Sequence, residues 1–200
     1  MKKYDVIALG ELLIDFTMNG QSEQGNHLFE ACPGGAPCNV LAMLNKLGKK
    51  TAFIGKVGND QFGTLLRKTL IEVGIDTSNL FTDNEVNTTL AFVHTLADGD
   101  REFSFYRNPG ADMMLKEDEI DADFISQAKI FHFGTLSMTQ DEVRAATKKA
   151  VKSAKQSGAL ISFDPNLREP LWSSLELAKE QMEYGFSQCD ILKISDNEIQ

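Results

Sequence analysis

The chain has 200 residues, of which 42% are hydrophobic and 24% charged, a composition typical of a folded protein rather than a disordered segment. Lys and Arg number 20 against 29 Asp and Glu, so the formal net charge of −9 makes nucleic acid and anionic membrane poor candidates for partners. No apolar run approaches the ~20 residues of a membrane-spanning helix. The first apolar run is also too short for a signal peptide, which favours a cytoplasmic location.

The cysteines and histidines do not indicate a special chemistry. Cys32, Cys38 and Cys189 form no Cys-x-x-Cys pair, and reduced thiols are the favoured interpretation. The three histidines are scattered along the chain, away from the cysteines. We therefore predict no directly bound metal ion.

Apolar runs alternate with amphipathic stretches along most of the chain, and this order predicts alternating strands and helices. Buried strands are predicted over residues 6–9, 51–55, 129–133, 159–163 and 191–194. Helices are predicted between them over residues 37–48, 61–73, 139–158 and 173–187. Alternation of this kind favours a mostly parallel sheet with helices on both faces.

Local signals mark several helix ends. Asn59 or Asp60 is expected to cap the second helix, and Gly74 is expected to end it. Thr139 and Ser173 each stand three residues before a glutamate, which is the spacing of a capping box. These residues predict where the third and fourth helices begin.

Residues 88–107 differ from the rest of the chain. Apolar and polar side chains alternate on both sides of the turn-forming residues 97–100, which predicts an antiparallel hairpin. Segment 12–31 contains short extended pieces and could join this hairpin as a small sheet. Residues 195–200 have the pattern of a first helical turn, so we expect the chain to be a fragment of a longer protein.

Polar residues collect where the predicted parallel strands end, which is the edge at which open sheets bind ligands. Four groups share this placement: residues 11–15, Gly34 and Gly35 with Asn39, residues 164–168, and residues 193–198. The glycines could let a ligand approach the positive end of a helix, or could only form a turn with positive φ. Asn39 could equally be a helix cap, and the acid Asp15 could be a solvated loop residue.

The group that follows the strand at 159–163 is the most informative. Pro165 ends that strand, so that Asn166 and Arg168 are displayed on a loop at the sheet edge. A guanidinium is well shaped to hold a phosphate through two hydrogen bonds, although Arg168 could instead pair with Glu169. The sequence contains neither a P-loop nor a Gly-x-Gly-x-x-Gly pattern, which argues against P-loop and dinucleotide-binding proteins.

Six ordered blocks of the sequence resemble the ribokinase-like, or PfkB-type, carbohydrate kinases, and among them the fructokinases. They extend over essentially the whole chain, and together they are far more specific than any one block. The blocks are residues 10–16, GELLIDF; 33–40, PGGAPCNV; 47–48 and 58–63, LG and GNDQFG; 105–112, FYRNPGAD; 163–172, FDPNLREPLW; and 193–198, KISDNE.

The resemblance implies an α/β fold, namely a ribokinase-like three-layer αβα sandwich with a mostly parallel sheet and a small β-sheet lid. Residues 1–200 would be the N-terminal portion of a single kinase domain, with lid segments at about 12–31 and 88–110. The implied reaction is the ATP- and Mg²⁺-dependent phosphorylation of fructose to fructose 6-phosphate. Phe103, Phe105 and Arg107 share one face of their strand by the period of two, so that face should cover the sugar or meet the lid of a second copy in a homodimer.

The resemblance further assigns roles to individual residues. On the sugar side these are Asp15, Gly34, Gly35, Asn39, Phe105 and Arg107. Asp15 would accept hydrogen bonds from sugar hydroxyls, as an ionised carboxylate can from two donors, and Phe105 and Arg107 would close over the sugar. On the side of ATP and Mg²⁺ the residues are Asn166, Arg168, Lys193 and Glu198.

The sequence departs from the family pattern at three places. Leu41 stands where Ala, Ser or Thr is usual, and Ser195 where many members have Asn. More seriously, the sequence lacks the Gly-Ala-Gly-Asp motif that supplies the catalytic base and the anion hole. We therefore expect no catalytic base within residues 1–200 and no activity of these residues alone; the base should lie beyond Gln200.

Two alternatives to a fructokinase remain at this point. A 2-keto-3-deoxygluconate kinase, or another sugar kinase of the family, also suits the Asp-x-Asn-x-Arg pattern at 164–168. A non-catalytic sugar-binding or interaction module would account for the missing motif.

Overall fold

A computed structural model describes residues 2–95 and 101–198. The strands are β1 (Tyr4–Leu9), β2 (Leu13–Gln21), β3 (His27–Gly34), β4 (Thr51–Gly58), β5 (Asp76–Asp83), β6 (Leu90–Thr95), β7 (Arg101–Tyr106), β8 (Ala128–Gly134), β9 (Leu160–Asp164) and β10 (Ile191–Leu192). The α helices are α1 (Ala36–Lys46), α2 (Gln61–Val73), α3 (Ala122–Ile125), α4 (Asp141–Gln156) and α5 (Leu175–Gln188). None of the helices described is long and apolar enough to cross a bilayer.

The main sheet has six parallel strands in the order β10-β9-β8-β1-β4-β5. Its central strand β1 is apolar on both faces because both faces are covered. Val6 and Ala8 contact the core beneath α1 and α2, whereas Ile7 and Leu9 contact the core beneath α3, α4 and α5. The predicted α/β architecture, with a mostly parallel sheet between two helical layers, is confirmed.

A second, smaller sheet has the order β3-β2-β6-β7. Strands β2 and β3 pair antiparallel, as do β6 and β7, while β2 and β6 run parallel. The predicted hairpin and its union with segment 12–31 are therefore confirmed. The turn predicted at residues 97–100 lies outside the described residues.

Helix α2 has the predicted bounds, and the reason is local. The Asp60 carboxylate accepts a hydrogen bond from the Gly63 N–H at 2.8 Å, which satisfies one of the N–H groups left unpaired at a helix start. Gly74 ends the helix in the left-handed conformation, with φ 92°. Asp60, rather than Asn59, is the cap.

Other predicted boundaries are wrong. Helix α4 begins after Gln140 without a side-chain cap, because the Thr139 hydroxyl donates instead to the Leu136 carbonyl at 3.0 Å. Ser174, not Ser173, caps α5 by accepting from the Leu177 N–H. The last strand covers two exposed residues rather than 191–194, and β5 was not predicted at all.

Candidate functional site

A cavity of about 530 Å³ lies between the carboxyl-terminal edge of the main sheet and the small sheet. Its walls come from the segments that follow β1, β8, β9 and β10, from the start of α1, and from the inner face of the small sheet. The cavity is therefore at the edge where parallel sheets bind ligands. It contains most of the residues that the sequence predicted for this edge.

One end of the cavity is acidic. Asp15 lies on β2 and Glu11 on the connection from β1 to β2, and both line the cavity. Asn39, in the first turn of α1, and Phe105, on β7, line it as well. Carboxylate and amide oxygens accept hydrogen bonds, so this end suits a ligand rich in hydroxyl groups.

Glu11 is buried, and its Oε1 accepts a hydrogen bond from the Ala36 N–H at 2.7 Å. This contact satisfies a donor at the start of α1, where the helix has no cap from its own flanking side chain. Burial raises the pKa of Glu11 to about 7. The carboxyl group is therefore partly protonated at neutral pH, unlike an ordinary exposed glutamate.

The two glycines before α1 allow the backbone to pass close to the acidic residues. A Cβ on Gly34 would collide with Oδ2 of Asp15, and a Cβ on Gly35 would collide with the Glu11 carbonyl oxygen. Gly35 also has φ 124°, a conformation that other residues rarely adopt. Gly35 lines the cavity, whereas Gly34 stands behind the Asp15 carboxylate.

The opposite end of the cavity carries positive charge. Arg168 and Lys193 line it together with Asp164 and Asn166. Lys193 Nζ lies 3.2 Å from Asp164 Oδ2, and the Arg168 guanidinium carbon lies 5.5 Å from the centre of the Phe103 ring. Half-buried Arg168 and exposed Lys193 are two cations beside a turn, and they suit an anionic ligand such as a phosphate.

Asn166 has φ 42°, which is a left-handed conformation unusual for a residue other than glycine. This conformation turns the chain after β9, so that both Asn166 and Arg168 reach the cavity. The alternative considered for Arg168, a pairing with Glu169, is not among the ion pairs of the described residues. Arg168 instead donates to the Leu167 carbonyl at 3.0 Å.

Glu198 does not line the cavity but fixes two segments that do. Its carboxylate accepts hydrogen bonds from the Leu167 N–H at 2.7 Å and from the Ser195 N–H at 2.9 Å. Burial by itself would raise the pKa of Glu198, but the hydrogen bonds from Ser195 and Leu167 outweigh it and lower the pKa. Glu198 thus connects the loop after β9 to the segment after β10 as an ionised group.

Arg107 was expected to close over the sugar, but the structure places it away from the main cavity. It follows the end of β7 and is buried, with 2% of its side chain exposed, and it does not line the main cavity. Its guanidinium forms an ion pair with Asp112 at 2.7 Å and donates to the Leu136 carbonyl at 2.9 Å. The alternation of β7 predicted an orientation toward the ligand, but the strand ends one residue earlier.

The sequence places Glu11 at the sheet edge within residues 11–15, but it did not predict Glu11 as a site residue. Its burial and its contact with Ala36 depend on α1 packing against the end of β1, which no local pattern in the sequence reveals. Phe103 also lines the cavity, as its shared face with Phe105 on β7 indicates.

The described residues contain no group of three or more His, Cys, Asp or Glu side chains that could hold a metal ion. Asp164 is the carboxylate on the cationic side of the cavity, and it is already paired with Lys193. Mg²⁺ commonly binds through one or two carboxylates together with phosphate oxygens. This side of the cavity therefore fits a magnesium ion that arrives with a phosphorylated ligand.

The pfkB family carbohydrate kinase model matches residues 3–200. Probable fructokinase-3 of Arabidopsis thaliana is 45% identical over 197 residues, which cover 98% of this chain and 57% of that protein. The crystal structure of fructokinase from Xylella fastidiosa has a TM-score of 0.92 at 35% identity, covering 100% of this chain and 61% of that one. The structure of fructokinase with bound ATP from the same organism has a TM-score of 0.89 at 35% identity, with 100% and 60% covered.

The chain thus spans about three fifths of the length of the relatives it matches. The ribokinase-like fold expected from the sequence blocks is confirmed by these structural matches. Together with the match of the family model over residues 3–200, they show that the chain belongs to the PfkB family of carbohydrate kinases.

Proposed function

We propose that the whole protein is a fructokinase, which transfers the γ-phosphoryl group of ATP to fructose and forms fructose 6-phosphate and ADP. The observation that carries this proposal is the polarity of the cavity, which is acidic beside Asp15 and cationic beside Arg168 and Lys193. A neutral polyol suits the first end and a nucleotide polyphosphate the second. The names of the relatives, and the ATP bound by the Xylella fastidiosa fructokinase, support the same assignment.

On the sugar side, Asp15 accepts hydrogen bonds from hydroxyl groups, and Asn39 offers an amide that can donate and accept. Gly35 keeps this end open for the sugar, and Gly34 leaves room for the Asp15 carboxylate. Phe105 covers the sugar from β7, where its ring excludes water from the reacting groups. We assign each of these residues to binding or orienting the sugar.

On the nucleotide side, Arg168 and Lys193 hold phosphate oxygens, and Asn166 orients them. Glu198 has an indirect role, because it does not contact the phosphates but fixes the loops that carry these residues. Mg²⁺, when bound with ATP, supplies charge neutralisation for the phosphates. Asp164, the carboxylate on this side of the cavity among the described residues, would contact the ion or its water ligands.

In the proposed reaction a bond forms from the sugar hydroxyl oxygen to the γ-phosphorus, while the bond from that phosphorus to the ADP oxygen breaks. The hydroxyl proton must pass to a base. Asp15 is occupied by sugar hydroxyls and Asp164 is paired with Lys193, so we place the catalytic base and the anion hole beyond Gln200. The described residues then provide substrate recognition and phosphate binding.

A homodimer through the small sheet belongs to the same proposal. The face of this sheet that points away from the cavity carries a cluster of aromatic rings: Phe29 contacts Phe92 edge-on at 5.4 Å between ring centres, and Phe92 contacts Tyr106 at 5.4 Å. Tyr106 is 66% exposed and Met18 is 50% exposed. An apolar patch of this kind is typical of a surface that a second copy covers.

Fructose is favoured over 2-keto-3-deoxygluconate because of charge. The latter sugar carries a carboxylate, which the acidic residue Asp15 would repel. The neutral hydroxyl groups of fructose have no such cost. We assign the protein to the cytoplasm, where sugar and ATP are both present.

Initial rates of ADP formation by the whole protein, measured over fructose, glucose, ribose and 2-keto-3-deoxygluconate, test the proposal. We expect the highest kcat/KM for fructose. A higher kcat/KM for 2-keto-3-deoxygluconate would replace the proposed substrate. Binding of fructose by calorimetry without any ATP turnover would favour the non-catalytic sugar-binding module instead.

A further inference from the structure

The hairpin formed by β6 and β7, called the lid hairpin below, joins the rest of the molecule through two short connections. Thr89 precedes β6 by one residue, and Arg107 follows β7 by one residue. Both residues are buried. These two positions are therefore the base of the hairpin, from which Phe103 and Phe105 extend toward the main cavity.

Asp112 connects the two sides of this base. Its Oδ1 accepts a short hydrogen bond from the Thr89 hydroxyl, and its Oδ2 accepts from Arg107 Nε at 2.9 Å and pairs with Nη2 at 2.7 Å. Only 1% of the Asp112 side chain and 2% of the Arg107 side chain are exposed. One carboxylate thus holds both strands of the hairpin where they enter the small sheet.

Arg107 also ties this base to the main sheet. Its Nη2 donates to the Leu136 carbonyl at 2.9 Å, and its Nη1 donates to the Thr139 hydroxyl at 3.0 Å. Leu136 and Thr139 belong to the connection between β8 and α4, and Leu136 lines the main cavity. Every guanidinium nitrogen has a partner, so the arginine is held in one orientation.

The backbone at Gly110 packs tightly against this network. A Cβ on Gly110 would lie 2.9 Å from Asp112 Oδ1 and 3.0 Å from Arg107 Cγ, and would collide with the Thr89 hydroxyl. A buried ion pair of this kind costs desolvation and needs good geometry to be retained. The position of this pair at the base of the hairpin that carries Phe103 and Phe105 points to a role in holding that hairpin.

We propose that Arg107 and Asp112 are positioning residues that anchor the base of the lid hairpin, and thereby fix Phe103 and Phe105 over the sugar. This inference rests on the proposed function. It differs from a direct role of Arg107 in sugar binding, because the guanidinium is occupied by Asp112, Leu136 and Thr139 and is absent from the cavity wall.

The test compares three variants of the whole protein. Arg107→Lys keeps the charge but loses the two-point contact with Asp112, and Thr89→Val removes the hydroxyl from the other side of the base at nearly constant volume. Arg144→Lys is the matched control. Arg144 donates to the Met138 carbonyl at 2.8 Å and pairs with Asp141, so it binds the same connection after β8 without contacting the hairpin.

Two measurements are made on each variant: hydrogen exchange of the paired amides of β6 and β7, and KM for fructose and for ATP. For Arg107→Lys and Thr89→Val we expect the hairpin amides to exchange about tenfold faster, the factor that corresponds to ~1.4 kcal/mol. We also expect a higher KM for fructose, with KM for ATP nearly unchanged. Arg144→Lys should leave the hairpin amides and KM for fructose at wild-type values.

Unchanged exchange of the hairpin amides in both variants would overturn the proposal. A rise in KM for fructose without faster exchange would assign Arg107 to the sugar instead. If Arg107→Lys does not fold, Thr89→Val decides by the same criterion. Failure of the wild-type protein to phosphorylate fructose would refute the proposed function, while the exchange data would still report on the anchor.

Discussion

The carboxylate of Asp15 lies against Gly34, in the space that a side chain at position 34 would occupy. A Cβ there would collide with Asp15 Oδ2 and lie 3.0 Å from its Cγ. Glycine at 34 is therefore what allows Asp15 to take its orientation at the edge of the cavity. The collision involves the far end of a flexible side chain rather than backbone, so the consequence is displacement of Asp15 and not loss of the fold.

We predict from this contact that Gly34→Ala raises KM for fructose about tenfold while changing the melting temperature little. Gly158→Ala is the control: Gly158 has φ 72° and no atom near its missing side chain, so alanine there is strained and should lower stability only. Kinetics and thermal unfolding of the two variants separate the effects. A normal KM in Gly34→Ala would show that the orientation of Asp15 does not matter for binding.

Of the residues on the sugar side, Asp15 should be the one whose replacement weakens fructose binding most. A hydrogen bond to a charged acceptor contributes ~1.5–3 kcal/mol, so Asp15→Ala should lower kcat/KM for fructose roughly 10- to 150-fold. KM for ATP should stay close to wild type. Asp118→Ala, at an exposed and remote acid, serves as the control, and an unaltered KM for fructose in a folded Asp15→Ala protein would refute the assignment of Asp15.

Glu11 gives a prediction about pH. Its pKa is raised from 4.5 to about 7 because it is buried, so the folded protein holds a proton that the unfolded chain releases between these values. The stability that Glu11 contributes is therefore fully present below pH 4.5 and is lost as the pH rises to about 7. At ~1.4 kcal/mol per pH unit, the loss amounts to roughly 3 kcal/mol.

Glu11→Gln removes this titration and keeps an oxygen that can accept from the Ala36 N–H. Relative to wild type, the variant should gain about 3 kcal/mol in free energy of unfolding between pH 4.5 and pH 8. Urea unfolding at several pH values measures this difference. The exposed acid Glu23 provides the matched control Glu23→Gln, and parallel pH profiles for Glu11→Gln and wild type would contradict the prediction.

The bounds of helix α2 could be predicted from the sequence, whereas the partners of Arg107 could not. The bounds of α2 follow from Asp60 and Gly74, which act on their own helix within a few residues. The partners of Arg107 come from Asp112 and from the connection after β8, and no local pattern connects these segments. The Thr139 hydroxyl is hydrogen bonded within the same network. It therefore does not cap α4, although Thr139 and Glu142 have the spacing of a capping box.

The candidate site was likewise predicted in part. The rule that ligands bind beyond the ends of parallel strands placed Asp15, Asn39, Asn166, Arg168 and Lys193 in one region, and all five line the same cavity. That rule does not predict how deeply a side chain is buried or whether it reaches the cavity wall. The burial of Glu11 and the position of Glu198 behind the loop depend on tertiary packing. Strand β5 went unpredicted because only two central residues of its eight are buried.

The last prediction concerns residues 1–200 produced as a separate polypeptide, which should not phosphorylate fructose. Phosphoryl transfer requires a base for the hydroxyl proton and donors for the developing charge. Of the cavity carboxylates, Glu11 is hydrogen bonded to the Ala36 N–H and Asp164 is paired with Lys193, while Asp15 is assigned to the sugar. The sequence contains no Gly-Ala-Gly-Asp motif and no P-loop that could replace it.

The same polypeptide should also be poorly soluble. Strand β10 has no neighbour on its outer side among the described residues, and its Ile191 and Leu192 are 43% and 46% exposed. An exposed apolar edge strand promotes association between chains. Fructose binding should persist weakly, because Asp15, Gly35 and Asn39 are all present. ATP-dependent formation of fructose 6-phosphate above the level of an Asp15→Ala control would mean that the catalytic base lies within these residues, and Asp164 would then be the first residue to replace.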